Sequence, residues 1–587
     1  MKQFLKFTLA TIVGIIITSL IGLLIFFGIV GAFAASSEKK VKTSPNSVYE
    51  LELKGNLIER SKDDPFSSVF ASSMGQSAVK TIGLDDVLAN IKKAKNDDNI
   101  LGIYLNGGML SGGFASLKEI RDALEDFKTS GKFIVAYADM YSQKNYYLAS
   151  VADKIYLNPI GMVELQGIAA NSAFIKNTLD KLGVEMQVVK VGTFKSAVEP
   201  YIQTKMSDAN KEQVNVFVSS IWNNMLSAIS KSRNISTEQL NQLADENVTF
   251  MTPEAILGHK LVDSLTYADG MKDVIKKMAK QKESKDVKYL SHSKMNNVAV
   301  SEKMRKEKIA VIYGVGGIDM PERDGIVSED LVKTIQKVKD EKTVKAVVLR
   351  INSGGGSAYG SEQIWHAIEQ LKKEKPVIVS MGDYAASGGY YIACDADTIL
   401  AQPNTLTGSI GIFGLIPNID GLNKKIGLTY DGVKTNKLSD AITYNRAFTP
   451  EERNLMQNSI NRGYELFTKR CADGRSMQID SLKAIAEGRV WTGEDAKRLG
   501  LVDELGGLND AITIAAKKAG LEKYSLKSYP EKEDFMTTLL KEFSGDAEVK
   551  FLKKSIGNEN YQILKQIEEA KSMNGIYALM PMSFTFN

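Results

Sequence analysis

Residues that build metal centres and disulfide frameworks are scarce in this sequence. Its 587 residues include two cysteines, Cys394 and Cys471, and three histidines. Two cysteines allow one bridge, and neither a Cys-x-x-Cys pair nor a mixed Cys/His spacing is present, which excludes a disulfide scaffold and argues against a zinc site. We expect two free thiols, no metal ion and no cofactor.

A strong excess of charge of one sign is also missing. The chain has 74 basic and 70 acidic residues and a formal net charge of +4. Such a balance gives no electrostatic reason to bind a polyanion, so we expect no nucleic-acid partner. The length exceeds that of one ordinary domain and predicts two or more.

Charged side chains are absent from residues 7–37. About 20 apolar residues span the hydrocarbon core of a bilayer, so this stretch predicts a transmembrane helix and an anchor at residues 1–37. The alternative is a cleaved signal peptide, because AFA at residues 32–34 fits a cleavage pattern with small residues at its first and third positions. The apolar core of a signal peptide is about 7–15 residues long, and the longer run here favours a retained anchor.

Two parts of the chain repeat each other at an offset of 244 residues. The stretch from Leu101 aligns with the stretch from Lys345, and Tyr146 aligns with Tyr390. Each copy reads as an apolar strand, a glycine-rich loop and an amphipathic helix, which predicts an α/β fold with a mostly parallel sheet. The predicted organisation is an anchor at 1–37, a first repeat at 48–280, a Lys-rich solvated linker at 281–306, a second repeat at 307–545 and a tail at 546–587.

The two copies differ at the residues that could carry chemistry. Ser387, in GDYAASGGYY, aligns with Gln143 of the first copy, whereas Lys195, in GTFKSAVEP, aligns with Ser439 of the second copy. Each copy therefore keeps a reactive residue that the other lacks. This pattern predicts one site assembled between the copies from Ser387 and Lys195.

A serine hydroxyl is a poor nucleophile until a base takes its proton. Lysine can be that base only when neutral, which requires its usual pKa of about 10.4 to fall by about 3 units. Burial of Lys195 would lower it in this way, and Ser196 is a candidate to orient the amine. Structural roles are assigned to the three histidines, His259, His292 and His366.

Attack on a carbonyl also requires donors for the oxyanion. One candidate is the backbone N–H of Gly388, directly after the serine. The other is the N–H of Gly355 or Gly356 in the NSGGGS loop, because glycine lets the backbone approach a substrate closely. The loop contains neither a P-loop nor a GxGxxG pattern, so a phosphate site is disfavoured.

These motifs resemble the signal peptide peptidase A family, also called protease IV, in its long, duplicated, membrane-anchored form. The resemblance rests on TFKSAVEPY, YAASGGYYIACDAD, RINSGGGSAYGSE and TGSIGIFG, and it extends from about residue 58 to residue 545. By position, it implies Ser387 as nucleophile and Lys195 as general base. Gly354 departs from the family, which usually has proline there, and this leaves the second oxyanion donor open.

The resemblance further implies a Clp-protease/crotonase-like fold in each repeat and a ring-like homotetramer. It implies a single-pass protein of the bacterial cytoplasmic (inner) membrane, with its catalytic body on the periplasmic side. The expected function is a membrane-anchored serine endopeptidase with a Ser/Lys dyad, which degrades cleaved signal peptides and other short apolar peptides. The alternatives are a crotonase-type acyl-CoA enzyme and a catalytically silent membrane scaffold.

Overall fold

The computed structural model describes residues 2–37, 41–61, 81–280, 287–299, 305–320, 325–531, 575–580 and 585–586. The helices are α1 (Lys2–Ser37), α2 (Leu84–Asn96), α3 (Phe114–Lys128), α4 (Gln143–Ala149), α5 (Lys176–Leu182), α6 (Glu199–Ile202), α7 (Asp208–Arg233), α8 (Thr237–Asp245), α9 (Pro253–Gly258), α10 (Met271–Met278), α11 (His292–Asn296), α12 (Ser328–Asp340), α13 (Ala358–Lys372), α14 (Gly388–Tyr391), α15 (Asp420–Ile426), α16 (Pro450–Gly474), α17 (Ile479–Ile485), α18 (Gly493–Arg498) and α19 (Leu508–Lys518).

The strands are β1 (Ser47–Ile58), β2 (Thr81–Gly83), β3 (Ile100–Ser111), β4 (Phe133–Tyr141), β5 (Lys154–Val163), β6 (Ala170–Asn171), β7 (Glu185–Lys190), β8 (Ser264–Leu265), β9 (Lys288–Ser291), β10 (Lys308–Val315), β11 (Val344–Ser353), β12 (Gly355–Ser357), β13 (Val377–Ala386), β14 (Thr398–Ala401), β15 (Leu406–Gly408), β16 (Phe413–Asn418), β17 (Val490–Thr492), β18 (Glu504–Leu505), β19 (Ser525–Tyr529), β20 (Gly575–Leu579) and β21 (Thr585–Phe586).

The first repeat builds a seven-stranded sheet with the order β2-β1-β3-β4-β5-β8, and β9 also pairs with β1. Every pairing in it is parallel. Consecutive residues of β4, from Ile134 to Ala138, are buried. Burial at successive positions means that both faces of the sheet are covered, as is usual when helices cross over between parallel strands.

The second repeat builds an eight-stranded sheet with the order β17-β15-β13-β11-β10-β19. In addition, β14 pairs with β13, and β18 pairs with β14. Its pairings are parallel except for the one between β15 and β17. Strand β11 begins 244 residues after β3, and β13 begins 244 residues after β4. The predicted α/β class and the tandem repeat are therefore confirmed.

A third, antiparallel sheet crosses the boundary between the repeats, with the order β12-β20-β16-β7. Strand β7 belongs to the first repeat, β12 and β16 to the second, and β20 to the segment predicted as a tail. Strand β21 pairs with β6 of the first repeat. The other residues of the predicted tail lie outside the described part of the chain.

Buried polar contacts also join the two repeats. The Asp383 carboxylate of β13 accepts hydrogen bonds from the backbone N–H groups of Ala115 and Ser116, at 3.0 and 2.9 Å, and so caps the beginning of α3. Arg350 of β11 is fully buried between Glu59, at 2.8 Å, and Glu119, at 2.7 Å. An unpaired buried charge is costly, so these contacts hold the repeats in one arrangement.

Part of the predicted linker is not solvated. Residues 287–299 contribute β9 and α11, and Leu290, Met295 and Val298 are buried in the core of the first repeat. The lysine-rich composition suggested a solvated segment, but the apolar residues between the lysines extend the first sheet. Residues 281–286 and 300–304 lie outside the described part of the chain.

The predicted anchor forms α1, a helix of 36 residues. Among the residues whose side chains the structure describes, no helix is long and apolar enough to cross a bilayer. The structure thus does not show the transmembrane helix that the sequence predicts.

Candidate active site

Ser387 lies at the point where β13 ends and α14 begins. Its backbone has φ of 55° and ψ of −114°, and its N–H donates to the carbonyl of Gly408 at 2.8 Å. A positive φ is strained for a residue with a side chain, and such strain persists only where the surrounding structure enforces it. The turn directs the serine away from the regular strand, and the side chain is buried.

Lys195 reaches the same place from the first repeat. It lies in the loop between β7 and α6, and it is fully buried. Its Nζ is 2.7 Å from the Ser387 Oγ, 3.0 Å from the Ser409 carbonyl oxygen and 3.1 Å from the Ser409 Oγ. The structure therefore brings together the two residues that the complementary repeats singled out, although 192 positions separate them in the chain.

Burial lowers the pKa of the Lys195 amine well below its usual value. The cause is desolvation, which disfavours the charged ammonium form. All three hydrogen-bonding oxygens around Nζ belong to neutral groups, so among these partners no carboxylate opposes the shift. The site thus favours the neutral amine, the form that a general base requires.

The loop that carries Lys195 is held by the second repeat. Thr193 donates from its N–H and its Oγ1 to the Glu487 carboxylate, and the Phe194 N–H donates to the Glu487 carbonyl at 2.9 Å. Gly488 packs on the lysine backbone so closely that an added Cβ would lie 2.8 Å from the Lys195 Cα. These contacts fix the direction in which the lysine side chain enters the site.

Ser409 is the residue of this site that sequence reasoning missed. It lies in TGSIGIFG, one of the stretches that carry the family resemblance. Nothing in the sequence indicates that its side chain contacts the Lys195 amine. Ser196, the residue considered for that role, is elsewhere: its Oγ bonds with Asn210 at 2.9 Å and Gln213 at 3.0 Å. Ser196 follows Lys195 directly, and its side chain points into the contact with α7 instead.

Two of the predicted oxyanion glycines come close to each other in space. Gly355 has φ of +104°, and an added Cβ would lie 2.7 Å from the Gly388 nitrogen. Gly356 has φ of +155°, and its added Cβ would lie 2.2 Å from the Ile318 carbonyl oxygen. Both positions of the NSGGGS loop therefore exclude a side chain. The Gly355 N–H donates to the Ser353 Oγ at 3.2 Å, which leaves the N–H groups of Gly356 and Gly388 better suited to an oxyanion.

The equivalent place in the first repeat is occupied by a structural residue. The Gln143 side-chain oxygen accepts from the backbone N–H groups of Gln166, at 3.0 Å, and Gly167, at 3.2 Å. A glutamine that holds a loop stands where the second repeat has Ser387, so the first repeat has no serine nucleophile at this position. The contacts of the histidines also lie elsewhere: the Nδ1 of His292 is 2.7 Å from the Tyr49 hydroxyl, and the Nδ1 of His366 is 3.6 Å from Glu369.

Both cysteines are free and buried, as expected from the sequence. Cys394 follows α14, and its thiol contacts the Tyr391 carbonyl at 3.2 Å. They belong to the core beneath the serine turn.

Known proteins match both repeats. The chain matches Peptidase family S49 over residues 126–285 and again over residues 369–522. It is 40% identical to Protease 4 of Salmonella typhi over 84% of this chain and 82% of that protein. It is 32% identical to the chloroplastic serine protease SPPA of Arabidopsis thaliana over 81% of this chain and 69% of that protein.

Two further proteins match about a third of this chain. A relative from Enterococcus faecium, whose name describes it as a signal peptide peptidase, is 32% identical over 37% of this chain and 64% of its own length. Among solved structures, a ClpP1 mutant from Listeria monocytogenes covers 34% of this chain and 94% of its own, with 16% identity and a TM-score of 0.24. The fold of this chain is assigned from its own strands and helices and not from this match.

The two family matches lie one in each repeat, and the proteases named above match more than four fifths of the chain. A peptidase family favours hydrolysis of peptides over the acyl-CoA and scaffold alternatives. The chain belongs to peptidase family S49 in a duplicated form, and it is a serine protease.

Proposed function

We propose that this chain is a serine endopeptidase with a Ser/Lys dyad, in which Ser387 is the nucleophile and Lys195 the general base. The observation that supports this most strongly is the 2.7 Å contact between the buried Lys195 Nζ and the Ser387 Oγ. A nucleophile and a base within hydrogen-bond distance form the pair that acyl transfer requires.

The proposed reaction begins when the neutral Lys195 amine accepts the Ser387 proton. The serine oxygen attacks the peptide carbonyl, and the oxyanion receives hydrogen bonds from the N–H groups of Gly388 and Gly356. The Gly388 N–H is suited to this because the first N–H of a helix has no partner within the helix. Lys195 then protonates the leaving amine, and a water molecule activated by the same amine hydrolyses the acyl-enzyme.

The proposed substrates are cleaved signal peptides and other short apolar peptides. Two points support this class: the name of the Enterococcus faecium relative, and the family resemblance of the serine and lysine motifs. An antiparallel sheet beside the serine also suits an extended peptide, which can add as one more strand.

Peptide hydrolysis by the purified full chain in detergent tests the dyad. Ser387→Ala and Lys195→Ala should each abolish turnover of a signal-peptide-like substrate, while circular dichroism shows that each chain is folded. Lys195→Arg should also be inactive, because arginine does not become neutral. Ser439→Ala, at the exposed position equivalent to Lys195, is the matched control and should keep full activity.

Loss of activity in Ser387→Ala alone would keep the nucleophile and reject Lys195 as base. Activity that survives Ser387→Ala would reject the whole assignment. Labelling by a fluorophosphonate gives an independent readout, since it should modify Ser387 in the parent chain.

We also propose that residues 1–37 attach the chain to a membrane in a single pass. The support is the uncharged run at residues 7–37 and the exposure of apolar α1 side chains such as Phe7 and Ile15, 73% and 61% exposed. Following the family resemblance, the membrane is the bacterial cytoplasmic (inner) membrane and the catalytic body lies on its periplasmic side.

The full chain should resist carbonate extraction and be digested by protease added to spheroplasts. Extraction by carbonate, or protection from the protease, would contradict the proposal.

Homotetramer formation is the third part of the proposal. The segment of the second repeat that is equivalent to the Lys195 loop, residues 427–445, is largely exposed, with Tyr430 at 60% and Val433 at 101%. In the first repeat this segment is covered by the other repeat; in the second, the described residues offer it no such cover. A neighbouring copy would cover this segment through a head-to-tail contact. Such contacts close into a ring when the rotation from one copy to the next allows it.

A further inference from the structure

The segment Gly575–Met580 lies in the same antiparallel sheet as β12, the strand formed by the NSGGGS loop. Strand β20 pairs antiparallel with β12 on one side and with β16 on the other. Without β20, the described strands β12 and β16 have no pairing with each other. The C-terminal segment thus fills a gap one strand wide beside Ser387.

The register places one peptide carbonyl of this segment at the glycines discussed above. The Met580 N–H donates to the Gly354 carbonyl at 2.6 Å, so these two residues form a hydrogen-bonded antiparallel pair. Such pairs alternate along a ladder, and the next one in this register is Gly356 with Ala578. The Ala578 carbonyl oxygen therefore faces the Gly356 N–H.

The same oxygen also borders Gly388. A Cβ added to Gly388 would lie 3.0 Å from the Ala578 carbonyl oxygen, and one added to Gly355 would lie 2.0 Å from it. The glycines assigned to the oxyanion thus surround a main-chain carbonyl of the C-terminal segment. This is the position that the reacting carbonyl of a bound peptide would take.

Side chains hold the segment in this register. Ala578 is fully buried in the core of the second repeat, and the Tyr577 ring lies 6.0 Å from the Phe413 ring. Ile576 packs against the same core as Ala578. The side chain at position 578 is small and completely enclosed, so a larger one would not be accommodated without movement.

We infer that the segment Gly575–Met580 is a tethered, substrate-like occupant of the peptide-binding cleft, which must leave before a peptide can be cleaved. The inference rests on the proposed function of Ser387. A substrate would add as an antiparallel strand between β12 and β16, with a small residue in the place of Ala578. Each of these strand edges accepts one partner, so the segment and a substrate exclude each other.

The tether sets the strength of the inhibition. A segment that belongs to the same chain as its binding site reaches an effective concentration on the order of 1 mM, so a free peptide of the same sequence that binds with a Kd of about 0.1 mM corresponds to about tenfold inhibition of the full chain. Removal of the segment should therefore raise kcat/KM for a short peptide by about tenfold.

Three forms of the chain in detergent test the inference: the full chain, a truncation that ends at residue 574, and a matched truncation that ends at residue 580. The first truncation removes β20, and the second keeps it. We expect activation in the truncation at 574 and the low rate of the full chain in the truncation at 580. Equal kcat/KM in all three forms would overturn the inference. Intact masses, measured before and after the assay, verify the C-terminus of each form.

A point variant covers the case in which the truncation at 574 fails to fold. Ala578→Arg should expel the strand from its enclosed position in the otherwise complete chain and raise kcat/KM as the truncation does. The synthetic peptide GIYALM should then inhibit this variant competitively. A variant that is folded but no more active than the parent chain would contradict the inference.

A binding measurement separates this inference from the proposed function. Labelled GIYALM is titrated, with fluorescence anisotropy as the readout, against Ser387→Ala chains that end at residue 574 or residue 580. Saturable binding to the first and weaker binding to the second support the inference even if no form hydrolyses peptides, an outcome that would reject the proposed function alone. Equal binding to both chains, or none, would reject the tethered occupant.

Discussion

Lys195 is fully buried, and the oxygens that its amine contacts all belong to neutral groups. Its Nζ contacts the Ser387 hydroxyl and both the hydroxyl and the carbonyl of Ser409. A buried lysine without a counter-ion loses the hydration of its charged form, and this loss supplies the pKa shift that the proposed chemistry requires. The same shift makes the lysine a cost to folding.

The stability of the chain should depend on pH through Lys195. The pKa of this amine is depressed in the folded state, so between that pKa and the unfolded value near 10.5 the unfolded chain binds the extra proton. In this window stability rises with pH, by about 1.4 kcal/mol per pH unit. Lys195→Met lacks this dependence and should melt higher than the parent chain near neutral pH, with the advantage shrinking toward pH 10. A melting-temperature difference that does not change with pH would contradict the expected shift.

Ser409 should act as a positioning residue for the amine. Ser409→Ala removes one of the acceptors of Nζ, a hydrogen bond worth about 1 kcal/mol, so kcat should fall by about fivefold with KM unchanged. The pH at which activity rises should also move, because the hydroxyl is next to the titrating amine. Ser439→Ala is again the control, and an unchanged pH profile in Ser409→Ala would reject the positioning role.

Among the elements, β13 positions Ser387 and also contacts the first repeat. It ends at the residue before Ser387, and its Asp383 caps α3 of the other repeat. The Asp383 carboxylate also accepts the Ser116 hydroxyl at 2.6 Å. Asp383 thus links the beginning of α3 to the strand that precedes Ser387.

Asp383→Ala should lower the stability by about 1–2 kcal/mol, the usual value of a helix cap, and should lower kcat as well. Ser236→Ala offers a matched control, because Ser236 caps α8 within the first repeat and accepts from Gln239 at 3.1 Å. It should lower the melting temperature only. Equal effects of both variants on kcat would show that the Asp383 cap does not support the site.

The buried group of Arg350, Glu59 and Glu119 joins β11 to the first repeat. Burial raises the pKa of Glu119 to about 7, against the opposing effect of Arg350. A carboxyl group whose pKa is raised in the folded state stabilises the fold when protonated. Its contribution is complete below about pH 4.5 and is lost as pH rises through about 7.

Glu119→Gln should remove this pH dependence. The parent chain should lose stability relative to the variant between pH 5 and pH 8, by up to about 3 kcal/mol, because the variant has no proton to release there. Urea unfolding of both chains at several pH values measures this difference. A constant difference across this range would show that Glu119 does not titrate there.

For the whole molecule, the exposed segment at residues 427–445 is the surface that we propose for the contact between copies. In the first repeat, the equivalent segment forms β7 and the Lys195 loop and is paired with β16. The second repeat leaves Val433 and Ile442 in solvent, at 101% and 59% exposure. Exposed apolar side chains of this kind are typical of an interface.

Charges in this segment should dissociate the proposed tetramer. Val433→Glu with Ile442→Glu would place two carboxylates in the head-to-tail contact, so light scattering should report a monomer in place of a tetramer. Leu526→Glu, which changes an exposed apolar residue of the edge strand β19, is the control and should leave the assembly intact. A mass unchanged by the double variant would place the interface elsewhere.

The sequence alone determined the tandem α/β repeat and the pairing of Ser387 with Lys195. Strand and helix periodicity is local, and a duplication leaves the same pattern at a constant offset, so both can be recognised without coordinates. The difference between the copies, serine against glutamine and lysine against serine, is likewise visible at aligned positions. These features required no knowledge of contacts between distant segments.

Only the tertiary structure decided which groups complete the site. Ser409 meets Lys195 across 214 positions, and β20 reaches β12 from more than 200 residues away. Such contacts depend on which strand edges remain open after the sheets have formed, and no local pattern in the sequence encodes that. For the same reason, composition assigned β9 to a linker, although its apolar residues complete the first sheet.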